Sequence, residues 1–417
     1  VKKQITVILA LFLSVTLFLS SCGTSDIIAI SGDGYWVIFG EKTDTKAVAQ
    51  DGKDGVDGKD GEDGKDGEDG ADAQTMDIKE LGYVIVSEYV KNDGSESVSD
   101  GIQALIDNNP NRTLYFPDGV YLLDKPLLTS ANPSKSVHLL LSNYAVLRAS
   151  ENWQGGSLVN FGGAEKYNNV TSCGSNYGID GGILDGNHLA NGVEISSGRE
   201  TRIRNLSMKN CLYGIYIHDG ANSTSSDADI MDCTIIGSDV TQTSVGIYLN
   251  KANDNTFTNV RIGHCQVGVR LQSSSGNVLR NVHPLYCMAH DDYQSGVGFW
   301  DESGSNTFDY CYADQFATAF KVKGVSCFTD CWAFWYTAND PIINSETIFD
   351  APNGFQSVVT RLHVGFCKEP SGSSKVVPRT VVNDHGKGGS GILRDTVGSL
   401  SKATDNTHIQ YLVDSDG

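Results

Sequence analysis

The sequence predicts an all-β domain wound as a single-stranded right-handed parallel β-helix, with a helix capping its N-terminal end. Three observations carry this. A glycine or alanine ahead of an alternating apolar strand recurs at Gly192, Gly214, Gly246, Gly268, Gly298 and Ala319, at intervals of 22, 32, 22, 30 and 21 residues. One coil of about 22 residues, with insertions in alternate coils, accounts for all five intervals. A second apolar anchor keeps step at Ile203, Ile230, Phe257, Leu279, Phe308 and Phe328, each followed three residues later by Leu206, Cys233, Val260, Val282, Cys311 and Cys331. Ahead of the repeat, Ser99 to Ile106 reads as a capped amphipathic helix.

The elements before the repeat follow in order. Val1-Lys2-Lys3-Gln4 is a short basic segment, and the apolar run from Ile5 to Leu19 is too brief to span a bilayer, so residues 1–21 read as a signal peptide. Leu19-Ser20-Ser21-Cys22 resembles the lipobox of bacterial lipoproteins. That resemblance implies acylation of the Cys22 thiol and, with Gly23 rather than Asp after it, a lipid anchor in the outer membrane at the cell surface. An ordinary secretory signal with an incidental cysteine is the alternative. Residues 22–50 form a membrane-proximal segment in which Tyr35-Trp36-Val37-Ile38 reads as a strand. In the spacer 51–72 a glycine stands at every third residue from Gly52 to Gly70, a collagen-like tract without proline. A flexible charged spacer is the plainer reading, and a homotrimer wound through this tract is the alternative.

The formal charge is -20, of which the spacer contributes -7. An acidic surface excludes nucleic acid as the natural partner and disfavours anionic lipid headgroups. An acidic glycan is compatible only where cations cluster locally.

The folded domain is expected over residues 76–417, less regular from about 340. After the helix, Thr113-Leu114-Tyr115-Phe116 and Val120-Tyr121-Leu122 read as short strands around a Pro117-Asp118-Gly119 turn. This order resembles the N-terminal signature of pectate-lyase-superfamily proteins, where a helix caps the β-helix before a strand-Pro-x-Gly-x-Tyr segment. Lys91-Asn92-Asp93-Gly94 stands where that family has a Gly-rich, Asp-rich turn, and the resemblance covers roughly 80–340.

The repeat fixes which side chains face inward. Cys233, Cys311 and Cys331 replace Leu or Val, and Cys211 and Cys265 each precede a strand glycine by three residues, so five cysteines take interior slots as small hydrophobes without needing disulfides. Asn205, Asp232, Asn259, Asn281, Tyr310 and Asp330 occupy a sharp turn suited to the left-handed conformation and read as an asparagine ladder. In the family resembled here such a ladder marks the turn between the second and third strands. That makes the glycine strand the first, and family sites lie on its outer face.

Strand alternation then gives that outer face. Its first column is Glu194, Tyr216, Tyr248, Arg270, Trp300 and Lys321, and its second is Ser196, His218, Asn250, Gln272, Glu302 and Lys323. Six coils span roughly 24 Å. Tyr and Trp rings suit the C–H faces of sugars, and the polar residues suit hydroxyls and carboxylates. The plainer reading is a solvated sheet face rich in β-favouring residues.

Three functions compete. The first is β-elimination on a uronic-acid polysaccharide, with Arg270, Lys321, Tyr248 and His218 as candidate catalytic residues and Tyr216, Asn250, Gln272, Trp300, Lys323 and His290 as candidate binding residues. The β-helix lyases resembled here use Arg or Lys as base, often with calcium on clustered acids. Nothing in the sequence requires a cofactor, and Asp291 with Asp292, in the insertion before Gly298, is the candidate calcium pair. The second is glycoside hydrolysis by paired carboxylates. The third is a non-catalytic glycan-binding or adhesive surface protein. His385 to Gly391 reads as a flexible C-terminal loop rather than a phosphate loop, and Asp180 to Gly186 as an architectural turn segment.

Overall fold

The computed structural model describes residues 28–38, 41–47, 78–165, 178–219, 225–238, 240, 244–285, 295–335, 347–366, 380–398 and 412–413. Cys22, the 51–72 spacer and the insertion holding His290, Asp291 and Asp292 lie outside them. The chain divides into two units, Val1–Gln74 and Thr75–Gly417. In the first, Ile28–Ile30, Tyr35–Ile38 and Glu41–Lys46 form an antiparallel sheet with Tyr35–Ile38 at its centre.

In the second unit every paired strand is parallel to its neighbour and joins the coil before or after it. The front sheet runs through Leu127–Ser130, Ser157–Glu165, Asn191–Ile195, Tyr213–His218, Val245–Asn250, Val267–Gln272, Val297–Asp301, Thr318–Val322, Thr347–Asp350 and Thr380–Asn383. A second continuous sheet carries the two remaining strands of each coil. Among the described residues the front sheet continues past residue 340. Ile348 and Val381 take the slot that glycine and then Ala319 hold upstream, because Thr318 pairs with Thr347 and Thr347 with Thr380.

Glycine fills that slot for a steric reason. A Cβ on Gly268 would lie 2.3 Å from the Pro284 Cβ and 2.5 Å from the Gly298 carbonyl oxygen, and Gly214 and Gly246 meet the same obstruction from Ile235, Ile262 and the next glycine's carbonyl. The anchors Ile203, Ile230, Phe257, Leu279, Phe308 and Phe328 are all buried, and Phe308 stacks on Phe328 at 4.6 Å. Cys211, Cys233, Cys265, Cys311 and Cys331 are all buried.

The turn residues Asn205, Asp232, Asn259, Asn281, Tyr310 and Asp330 all have φ between 51° and 57°. Their side chains lie toward solvent, and Asn281 donates to Asn259 at 3.1 Å. A second ladder, absent from the sequence reading, is fully inside. Asn255 donates to Asn277 at 3.0 Å and Asn277 to Asn306 at 3.1 Å, and Asn306 donates to the buried Asp301 carboxylate. The signal was present, since these residues stand two positions before Phe257, Leu279 and Phe308.

The helix Ser99–Asn108 buries Ile102 and Ile106, but Ser99 is not its cap. Its hydroxyl accepts from the Asp124 backbone N–H at 3.0 Å, so it serves the following turn. Gln103 closes the sheet edge: its amide donates to the Leu128 carbonyl at 2.9 Å and accepts from the Leu128 N–H at 2.8 Å, as a neighbouring strand would.

Candidate functional site

The front strands deliver the two outward columns in register. Glu194 pairs with Tyr216, Tyr216 with Tyr248, Tyr248 with Arg270, Arg270 with Trp300 and Trp300 with Lys321. The column then continues through Asp350 and Asn383, neither of which the sequence reading included. Beside it run His218, Asn250 and Gln272, also in register.

Register has a consequence for the aromatic rings. Coils stack at the strand spacing, which brings the paired Tyr216 and Tyr248 rings nearly parallel. Tyr216 stacks on His218 at 4.6 Å and on Tyr248 at 5.1 Å. The Arg270 guanidinium lies 5.2 Å from the Tyr248 ring and 4.5 Å from Trp300, and the Lys321 ammonium lies 4.8 Å from Trp300. The flat faces expected to receive sugar rings are therefore covered by other side chains, and ring edges are what the column turns outward.

The charges fall into three groups. His218 Nε2 contacts Glu194 at 2.8 Å, and its Nδ1 lies 3.1 Å from the Asp219 carbonyl oxygen. With an acceptor at each nitrogen the imidazolium is favoured. Burial opposes that charge, yet the bonds to Glu194 and Asp219 prevail and raise the His218 pKa above its ordinary value. The other Glu194 oxygen accepts from Ser157 at 2.9 Å.

In the second group two cations share one carboxylate. Arg270 and Lys323 each reach Glu302 at 2.8 Å. Burial alone would raise the Glu302 pKa, but the donors Lys323 and Arg270 outweigh it and the net shift is downward. Tyr248 donates to Gln272 beside them, and burial raises its pKa and that of Tyr216, so both keep their protons.

The third group was missed by sequence. Asp350 accepts from His385 Nε2 at 2.7 Å and from the Asn383 amide at 3.1 Å, and faces the Lys321 ammonium at 3.7 Å. The loop from His385 to Gly391 is thus not merely flexible chain. The buried Asp384 carboxylate accepts from the N–H groups of Gly386 at 2.8 Å and Gly388 at 3.1 Å, which leaves those groups engaged within the protein.

The outward carboxylates Glu194 and Glu302 are four coils apart, about 19 Å. That is too far for the acid and base of a glycoside hydrolase, whereas Asp350, two coils beyond Glu302 and so about 10 Å along the axis, stands near the upper end of the spacing of an inverting pair. Among the described residues no cluster of three or more His, Cys, Asp or Glu is placed to hold a metal ion.

Comparisons with known proteins agree with this architecture. A family model described as rhamnogalacturonase A/epimerase, pectate lyase-like matches residues 85–297. A protein of Geobacillus virus E2, ORF18, superposes with a TM-score of 0.53 at 15% identity over 77% of this chain and 63% of its own. The chain therefore spans less than two thirds of that viral protein. An alginate lyase from Paenibacillus sp. strain FPU-7 gives 0.51 at 14% identity, over 66% of this chain and 98% of its own. The tailspike protein of E. coli bacteriophage HK620 gives 0.53 at 11% identity, over 78% and 67%. These similarities establish the right-handed parallel β-helix and nothing finer. A search of curated proteins finds no match.

Proposed function

The chain belongs to the rhamnogalacturonase A/epimerase, pectate lyase-like family, and we propose that its front face binds a uronic-acid-containing extracellular polysaccharide and cleaves it by β-elimination. One observation carries the reading: Arg270 and Lys323 share the single carboxylate of Glu302. The triad holds one net positive charge on a chain whose formal charge is -20. A uronate carboxylate is the ligand that such a spot attracts.

Elimination needs the carboxylate neutralised, the C5 proton removed and the leaving oxygen protonated. Arg270 and Lys323 supply the first. Lys321, an ammonium ion-paired with Asp350, supplies a proton to the leaving oxygen. His218, Asn250 and Gln272 offer hydrogen bonds to neighbouring sugars, with Tyr216 and Tyr248 presenting hydroxyl edges between them. An alginate lyase among the structural neighbours is consistent with a polyuronate substrate. We further propose a cell-surface protein tethered through acylated Cys22 in the outer membrane, with 51–72 as spacer. Loss of lipid labelling in Cys22→Ser tests the anchor.

The activity is tested by incubating the protein with polygalacturonate and alginate, with and without calcium, and following the ultraviolet absorbance of the unsaturated product. Rising absorbance that Arg270→Ala and Lys323→Ala abolish supports the reading. New reducing ends without absorbance would make the protein a hydrolase. Binding without either would make it a glycan-binding surface protein.

A further inference from the structure

Elimination requires a base, and none of the front-column residues is suited to the task. His218 has an acceptor at each ring nitrogen, so neither nitrogen is turned to a substrate. Arg270 does not release its proton in proteins. Lys321 faces a carboxylate, and Tyr248 keeps its proton.

The coils beyond Lys321 place a different group there. Asp350 stands next to Lys321 in register, and Asn383 next to Asp350. Two residues after Asn383 the chain turns through a left-handed residue, His385, whose φ is 56°. That turn brings the imidazole to Asp350, 2.7 Å from Nε2 to Oδ1. The Asn383 amide also lies 3.2 Å from Nε2, but it donates to the same Asp350 oxygen at 3.1 Å; the shorter contact to a carboxylate that only accepts places the hydrogen on Nε2 and the lone pair on Nδ1 in the neutral ring. Among the described residues Nδ1 has no partner, and the side chain is 44% exposed. Asp384 anchors the turn from behind through Gly386 and Gly388, and Lys387 is directed to the Pro352 carbonyl at 2.5 Å rather than to the ring. The charged groups facing His385 are therefore Asp350 directly and Lys321 through Asp350.

We propose that His385 is the general base of this site and that Asp350 is its positioning residue; the assignment rests on the elimination reading above. The C5 proton passes to His385 Nδ1, and the electrons of the broken C–H bond form the C4–C5 double bond. The C4–O4 bond breaks, and the departing oxygen takes a proton from the Lys321 ammonium. No oxidant or reductant enters. Asp350 stabilises the imidazolium as it forms; release of the Nδ1 proton to solvent and uptake of one by Lys321 restore the starting state.

The test uses the full chain with polygalacturonate and alginate as probes. His385→Gln retains a donor toward Asp350 but has no basic nitrogen, and is expected to lower kcat about 10²-fold or more with KM unchanged. Asp350→Asn lowers kcat by less, because it removes orientation and not the base. His385→Ala leaves an open, exposed space, and added imidazole should restore turnover in a concentration-dependent way, which a purely structural histidine would not show. Circular dichroism and melting of each variant report whether it folds. If wild-type protein turns over a polyuronate and folded His385→Gln retains full kcat, the base is elsewhere and only this assignment falls. If wild-type protein shows no elimination on either probe, the elimination reading falls and takes this assignment with it.

Discussion

Replacing Glu302 with glutamine tests the charge count on the front face, because stability and binding should move in opposite directions. The Glu302 side chain is 12% exposed, while Arg270 and Lys323 keep 28% and 36% exposure. Glutamine keeps the shape and one acceptor but leaves two cations without a counter-charge. Charge-assisted hydrogen bonds are worth about 1.5–3 kcal/mol each; solvent screening of the two cations reduces the total loss to about 2 kcal/mol. For binding, one more uncompensated cation about 4 Å from a uronate carboxylate contributes ~1 kcal/mol in water, roughly fivefold in affinity. Urea unfolding measures the first quantity, and calorimetric titration with an oligogalacturonate at low and physiological salt measures the second. The pH dependence supplies an internal check. The folded pKa of Glu302 is lowered, so its stabilisation is present above the unfolded carboxylate value and lost as pH falls through the folded one. E302Q should flatten that acid limb. A variant as stable as wild type, binding no tighter at low salt, would refute the shared-carboxylate account.

Four further outcomes follow from the same structure. Gly268→Ala should cost about 3 kcal/mol in denaturant unfolding, because its Cβ would lie 2.3 Å from Pro284 Cβ. Asn277→Ala should cost about 3 kcal/mol, since the buried Asn255 N–H loses its acceptor and the Asn255 amide loses its partner. Glu194→Gln should remove a stabilisation that is present below the unfolded histidine pKa of about 6.5 and lost as pH rises through the raised folded value of His218; melting temperatures across that range check it. Among the described cysteines, Cys327 should react readily with an aromatic disulfide in native protein. Burial pushes Cys211 and Cys233 up to about 12, so they should react only on unfolding.

The coil was legible because its steric demands repeat. A Cβ at Gly214, Gly246 or Gly268 meets both the strand across the interior and the next coil's carbonyl, so the sequence shows glycine at these successive turns. Alternation from that anchor placed Glu194 through Lys321 on the outer face. The same rule failed for Asp350, because Ile348 occupies the slot and no glycine flags the strand. His385 was out of reach for a different reason: it projects from a turn, where period-two alternation has no authority. The ion pairs were hidden by unequal coil lengths. Arg270 and Glu302 are 32 residues apart and Lys323 and Glu302 only 21, so no fixed spacing relates the partners.

The stacking of the column also constrains what it can recognise. An isolated tyrosine or tryptophan on a flat sheet offers its face to a sugar, and recognition then rests on dispersion and is tolerant of sugar type. Here Arg270 lies between Tyr248 and Trp300, and Trp300 lies between Arg270 and Lys321, so those faces already hold protein groups. What remains for a ligand is a row of hydroxyl edges and cations whose directions are set by in-register strands. Such a row discriminates by hydrogen-bond geometry and charge, so a neutral polysaccharide of the same linkage gains little from it. A polyuronate gains most at Arg270 and Lys323, where a substrate carboxylate meets two cations that share one acid. On the proposed function, the packing that rigidifies the column is also what would direct selectivity toward acidic chains.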